Sequence, residues 1–200
     1  MDKFHVNDLQ TGDLLLFHSK NCISKMIQCC TCSQFNHVGI ILRDPFFINK
    51  KLKGLYLLHS SVKYYIDALE LQKKSGVQIT HIDEILAKNK NSIIYVRKMF
   101  FNLPVDLNKL NKIYNDIKDK PYNTNFIDWI LADFNILRKP KGDTEKHFWC
   151  SALVGYVYNK MGLLEDPDVW TLLTPEDWSG NCSLIKTKNC HLGKYRKLNY

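Results

Sequence analysis

The chain has 200 residues and a mass of 23.4 kDa, with 45% apolar and 12% aromatic residues, which suits one domain with an ordinary core and excludes a disordered or fibrous protein. Its net charge is +8, and five basic residues (Lys186, Lys188, Lys194, Arg196, Lys197) fall within 186–200 without one acidic residue. The charge therefore divides the chain into one domain over 1–185, close to balance, and a basic tail over 186–200.

The polar start, MDKFHVNDLQ, shows no secretory signal. Residues 13–17 (DLLLF), opened by Gly12, read as a buried strand entered through a turn. After a polar, cysteine-rich stretch, residues 37–43 (HVGIILR) form a second strand, closed by Asp44-Pro45, and residues 55–60 (LYLLHS) a third. Residues 45–54 make a lengthened hairpin connection. Residues 77–81 read as a strand running into a short helix over 83–88, and residues 92–99 as another strand. Leu107, Leu110, Ile113, Tyr114 and Ile117 recur with a helical period over 106–118, and Pro121 stops the pattern. The apolar-rich stretch 126–137 is broken by Asp128 and Asp133 and is too short to cross a bilayer. Residues 149–164 form a second clear helix ended by Gly162. Strands first and helices later argue for an α+β fold with an antiparallel sheet. Seven unevenly placed cysteines in a chain of this size read as mainly reduced thiols, which points to the cytoplasm or another reducing compartment.

Cys150 stands apart from the other cysteines. It opens the 149–164 helix, where free backbone N–H groups and the helix dipole favour a thiolate. The plainer reading is a small core residue at the start of an amphipathic stripe. A cysteine nucleophile needs an imidazole nearby in space. His37 opens one strand, Gly39 leaves room on the same face, and His59 lies in the neighbouring strand; hairpin pairing makes the two rings neighbours and lets His59 hold the tautomer of His37. His147, three residues before Cys150, is a competing partner.

Four short motifs then carry a family resemblance. The segment CSALVGYVYNKMGL (150–163), preceded by Pro121-Tyr122, resembles the nucleophile helix of the NlpC/P60-type cysteine peptidase superfamily, whose fold is papain-like. GDLLLF (12–17), NHVGII (36–41) and LLHSS (57–61) resemble its Gly-Asp strand, His strand and third-residue strand. Here the histidine strands lead and the cysteine helix follows, the order of the circularly permuted branch that includes the YiiX/YaeF-like proteins, the lecithin-retinol acyltransferase group and homologues in poxviruses and other large DNA viruses. Residues 24–31, Gly76-Val77, Ile82-Asp83-Glu84 and Thr174-Pro175-Glu176-Asp177 extend the YiiX-like pattern. The resemblance implies a permuted papain-like catalytic domain whose antiparallel sheet packs against the cysteine helix. It implies Cys150 as nucleophile, His37 as base and His59 as third member, where YiiX-like members often carry an acidic residue. Tyr122 is implied beside the nucleophile, as an oxyanion or substrate contact. The expected chemistry is hydrolysis of an amide, ester or thioester, or acyl transfer from one, on a peptide or lipid-type substrate and without a cofactor.

Three other readings compete. Cys22, Cys29, Cys30 and Cys32 with His37 offer zinc ligands, but the spacing lacks two separated Cys-x-x-Cys hooks, so no metal is expected. The tail, with Tyr195 and Tyr200 among its cations, suits nucleic acid poorly because no reader motif accompanies it; an anionic membrane surface is the more economical partner. A protein of this fold that binds lipid or another anionic surface without turnover is the alternative function, with Trp129, Trp149, Trp170, Trp178, Tyr64 and Tyr65 as candidate cleft residues.

Overall fold

The computed structural model describes residues 4–19, 33–122, 148–166, 170, 173–180 and 185–200. Seven strands, β1 (Phe4–His5), β2 (Leu14–His18), β3 (His37–Arg43), β4 (Leu55–Ile66), β5 (Lys73–His81), β6 (Ile93–Phe101) and β7 (Cys190–Asn199), form one sheet in the order β1-β7-β6-β2-β3-β4-β5. Every neighbouring pair is antiparallel except β1 and β7, which run parallel with Phe4 opposite Leu198. Three α-helices accompany it among the described residues: α1 (Ile82–Lys88), α2 (Leu107–Ile117) and α3 (Cys150–Met161). The expected α+β architecture, a largely antiparallel sheet against the cysteine helix, is the one observed.

Both faces of the sheet are covered, which explains why β2 and β3 read as continuous apolar runs. Leu14, Leu16, Val38, Ile40 and Leu42 face α2 and α3, packing with Leu153, Val154, Val157, Ile113 and Ile117. Leu15, Phe17, Ile41, Leu57, Ile94 and Val96 face the opposite way, under Ile82 and Ile85 of α1 and under Leu9. The entry to β2 is tied by Asp13, which is fully buried: its carboxylate accepts from Met99 N–H (3.0 Å) and Gln10 N–H (2.7 Å) and pairs with Lys98 Nζ. Its neighbour Gly12 sits at φ +96°, where a Cβ would meet the Phe101 ring at 2.6 Å. Helix α2 begins at Asp106, whose side chain accepts from Lys109 N–H at 2.9 Å, and α3 ends at Gly162 in the left-handed region, as its sequence signals require.

Two expectations change, and others fall outside the described residues. The third and fourth strands are longer than the apolar runs that announced them, because Tyr65 and Ile66 re-pair with Lys74 and Lys73 beyond an irregularity after Ser61. The basic tail is largely a strand: residues 190–199 lie between β6 and β1, with Cys190 and Leu198 buried and Lys194, Arg196 and Lys197 exposed. Clustered cations masked this strand, whose pairing with β6 is broken by a register shift between Arg97 and Met99 and whose burial does not alternate. The helix expected over 24–31, the cysteine cluster at 22–32, Trp129 and His147 lie outside the described residues.

Candidate active site

The β3–β4 hairpin brings His37 and His59 together. His59 lies one step beyond the Ile40–Leu58 pair, opposite Gly39, where an added Cβ would stand 3.1 Å from His59 Cβ and 2.9 Å from Leu57. Glycine at 39 is therefore what lets the second histidine approach. His37 Nε2 and His59 Nδ1 share a hydrogen bond of 3.1 Å, and His59 Nε2 continues to Thr80 Oγ1 at 3.0 Å. The Phe17 ring stands 5.3 Å from that of His37 and the Tyr65 ring 5.0 Å from that of His59. In this apolar setting burial lowers the pKa of His37 to about 3, with Lys63 adding to the effect. Burial and the neighbouring His37 hold His59 well below its ordinary range. Both rings are thus neutral at physiological pH, so each has one N–H and one lone pair.

Cys150 is the first residue of α3, after Trp149 in extended conformation. Its thiol lies against the backbone N–H of Val38, the residue that follows His37, so the helix start meets β3 at the peptide bearing the imidazole. No hydrogen bond joins the sulfur to either ring in this arrangement. The backbone N–H groups of Val38, Ser151 and Cys150 favour the thiolate, but burial outweighs them and pushes the thiol up to about 11. The expectation that the helix start favours a thiolate is therefore corrected: with 5% of the residue exposed, loss of water outweighs the helix amides.

The helix start is strapped from two sides. Ser151 Oγ (2.6 Å) and Trp149 Nε1 (3.1 Å) both donate to the carbonyl of Leu173, Trp178 Nε1 donates to that of Ser151, and Ser60 Oγ of β4 donates to that of Phe148 at 2.6 Å. The Thr174-Pro175-Glu176-Asp177 motif has a visible task. Asp177 accepts from Thr174 N–H (2.7 Å) and hydroxyl (2.8 Å), while Glu176 accepts from Gln34 N–H at 2.9 Å and Ser33 Oγ at 3.2 Å, tying the approach to His37 to the strap over Cys150. Tyr122 arrives by a third route. Val77 N–H donates to Lys120 O (2.9 Å), Phe148 N–H donates to Pro121 O (3.2 Å), and Tyr122 bridges Phe148. Gly76, at φ +88°, has no room for a Cβ because Lys120 O would stand 2.5 Å from it. Burial, and secondarily the proximity of Cys150, hold the Tyr122 hydroxyl far above the usual tyrosine range, so it stays a neutral donor within electrostatic reach of the thiol.

The structure thus assembles the His37–His59 pair and places Cys150 and Tyr122 beside it. It adds Thr80 and Gln78, which the sequence reading passed over. Their signal was there: two polar residues at alternate positions of a strand otherwise buried, on the face that bears His59. Among the described residues no group of three or more His, Cys, Asp or Glu side chains is placed to hold a metal ion.

Comparison with known proteins gives a family match over residues 8–174, described as "Permuted papain-like amidase enzyme, YaeF/YiiX, C92 family". Among solved structures, the crystal structure of "metalloprotein yiiX" from Escherichia coli O157:H7 is similar, with 20% identity, a TM-score of 0.49, and coverage of 94% of this chain and 97% of that one. No curated protein matches.

Proposed function

Because the chain belongs to the YaeF/YiiX family of permuted papain-like amidases, we propose that it is a thiol hydrolase using Cys150, His37 and His59 on an amide, ester or thioester. The observation that carries this reading is the 3.1 Å His37–His59 bond next to the peptide that receives the thiol. With His37 Nε2 engaged by His59, its Nδ1 is the nitrogen left for the sulfur. Thiol and imidazole are each held neutral by burial, so the S–H proton passes to His37 Nδ1 as the sulfur attacks the carbonyl carbon. The developing oxyanion takes hydrogen bonds from the Cys150 backbone N–H and the Tyr122 hydroxyl. His37 then protonates the leaving amine, alkoxide or thiolate, leaving a thioester on Cys150. Water gives its proton to His37 and attacks the thioester, releasing the acid and regenerating the thiol; an alcohol or amine in place of water makes the same site an acyltransferase. The substrate is a peptide or lipid-type acyl compound.

A thiol-directed acylating probe tests this. The wild-type chain should label, Cys150→Ala should fall to background, and His37→Ala should slow labelling about a hundredfold or more; equal labelling of Cys150→Ala overturns the assignment.

A second reading concerns where the protein works. The outer face of β6 and β7 carries a cleft of about 120 Å³ lined by Phe4, Val96, Lys98, Phe100, Lys194 and Arg196. Lys194 and Arg196 have no ion-pair partner among the described residues, and Phe100, 46% exposed, lines the same cleft. One face of Phe100 is taken by His191, stacked at 4.6 Å, which disfavours base stacking and favours insertion among head groups. We propose that this face docks on an anionic lipid surface. The chain should bind vesicles of phosphatidylcholine with phosphatidylserine, and Lys194→Gln/Arg196→Gln should weaken binding about fivefold per cation. Equal binding to pure phosphatidylcholine, or preference for single-stranded RNA over vesicles, overturns it.

A further inference from the structure

The His37–His59–Thr80 chain raises a question of direction that hydrogen-bond accounting answers. Two neutral rings in series carry one proton each, so only two arrangements exist. In the first, His37 donates from Nε2 to His59 Nδ1, His59 donates from Nε2 to Thr80 Oγ1, and His37 Nδ1 is a free base. In the second, Thr80 donates to His59 Nε2, His59 donates from Nδ1 to His37 Nε2, and His37 carries its proton on Nδ1, where it cannot accept one from the thiol. The threonine hydroxyl can play either part, so what decides is where its own proton goes.

Among the described residues, Gln78 Oε1 is the one buried side-chain oxygen or nitrogen with no hydrogen-bond partner. Gln78 lies directly opposite His59 in the ladder and two residues before Thr80, on the same face of β5, and both side chains are fully buried. Its amide nitrogen is committed to the carbonyls of Lys74 (3.1 Å) and Gly76 (3.4 Å), which fixes the oxygen as the end left over. An acceptor without a donor in such a place is destabilising and calls for an explanation. A hydroxyl proton from Thr80, relayed through one bridging water, satisfies it and turns the Thr80 lone pairs toward His59.

We propose that Thr80 and Gln78 are positioning residues that end the relay, holding the protons of both His59 and His37 on Nε2 so that His37 Nδ1 faces the cysteine as a base. The proposal rests on the Cys150–His37 reading for its function, but the tautomers it specifies are observable without turnover.

The test is long-range ¹⁵N–¹H correlation NMR of the imidazoles, on the full chain and on Cys150→Ala. Both should show His37 and His59 protonated at Nε2. In Thr80→Val the His59 Nε2 proton loses its acceptor, the proton moves to Nδ1 and His37 switches with it; Thr80→Ser should restore the wild-type spectrum. Gln78→Met, which removes the oxygen and leaves Thr80 intact, should move the populations the same way. If the chain turns over an acyl substrate, kcat should fall about tenfold in Thr80→Val with KM unchanged. Nδ1 protonation of His37 in the wild type, or unchanged tautomers in both Thr80→Val and Gln78→Met, overturns the proposal. Loss of activity in Thr80→Val with unmoved tautomers also overturns it, because a packing role would do that much. Wild-type labelling of Cys150→Ala alongside the specified tautomers overturns only the catalytic reading.

Discussion

The β3–β4–β5 half of the sheet and the β6–β7–β1 half are continuous through β2, yet they handle polar groups in opposite ways. The first draws His59, Gln78 and Thr80 fully inside, with His37 at the rim, and surrounds them with Phe17, Tyr65 and Leu57. Every polar atom there needs a specific partner, and the imidazoles are kept neutral. The second half keeps the β7 cations Lys194, Arg196 and Lys197 at the surface, while Arg97 of β6 lies half-buried against the carbonyls of Gly193 and Trp178. In the first half a side chain is replaceable only by one that makes the same hydrogen bonds; in the second the strand is indispensable while its individual cations are not.

That contrast is open to attack, beginning with the largest effect. Deleting 186–200 removes a strand hydrogen-bonded on both edges, and the cooperative thermal transition seen by circular dichroism should vanish; a retained transition would show that β7 is an accessory. Leu198→Ala, at a position 2% exposed, should cost about 2–5 kcal/mol in urea unfolding. Gly39→Ala pushes a methyl to within 2.9 Å of Leu57 and 3.1 Å of His59, so a loss of about 1–3 kcal/mol is expected, together with displaced His37 and His59 signals in NMR spectra.

Acid sharpens the comparison from the other side. The imidazoles of the first half are neutral when folded and ordinary when unfolded, so below the ordinary histidine value of about 6.5 the unfolded chain binds the extra protons. Their contribution is complete above that pH and is lost as pH falls, on the order of 1.4 kcal/mol per pH unit for each ring, until His37 itself protonates at about 3. Asp13 has the opposite sign, since burial raises its carboxyl pKa, and it offsets part of the loss at the acid end. Urea midpoints that do not change between neutral pH and pH ~5 would refute the neutral pair. The smallest effect belongs to the second half: Lys194→Gln and Arg196→Gln should each change stability by no more than about 0.5 kcal/mol.

How much of this was legible follows the same division. Residues 37–43 read as a strand with their observed bounds because β-branched residues buried on both faces leave an unbroken apolar run. The 106–118 helix was legible from its apolar period, and the end of the cysteine helix from Gly162, which takes the left-handed conformation. The histidine pair was legible as a juxtaposition, since hairpin pairing and a glycine imply it. What composition hid was context. Six cations and imidazoles among residues 186–197 masked the buried positions of β7. The protonation of Cys150 was not legible either, because the competing effects, helix amides and burial, differ only in three dimensions. Thr80 and Gln78 read as ordinary strand polarity until β4 supplied His59 across from them.

The parallel pairing of β1 with β7 has a topological consequence. Residues 4–5 lie side by side with residues 198–199, so the path of the backbone closes on itself and the fold is, in effect, a ring opened at one edge of the sheet. On a ring, whether the cysteine precedes or follows the histidines depends only on where the cut falls. A short linker across that edge and a new opening in the exposed loop after β6 would restore the order in which the cysteine comes first, with every contact of the candidate site intact. The permuted order is thus a property of the thread, and the geometry of the candidate site is a property of the loop it closes.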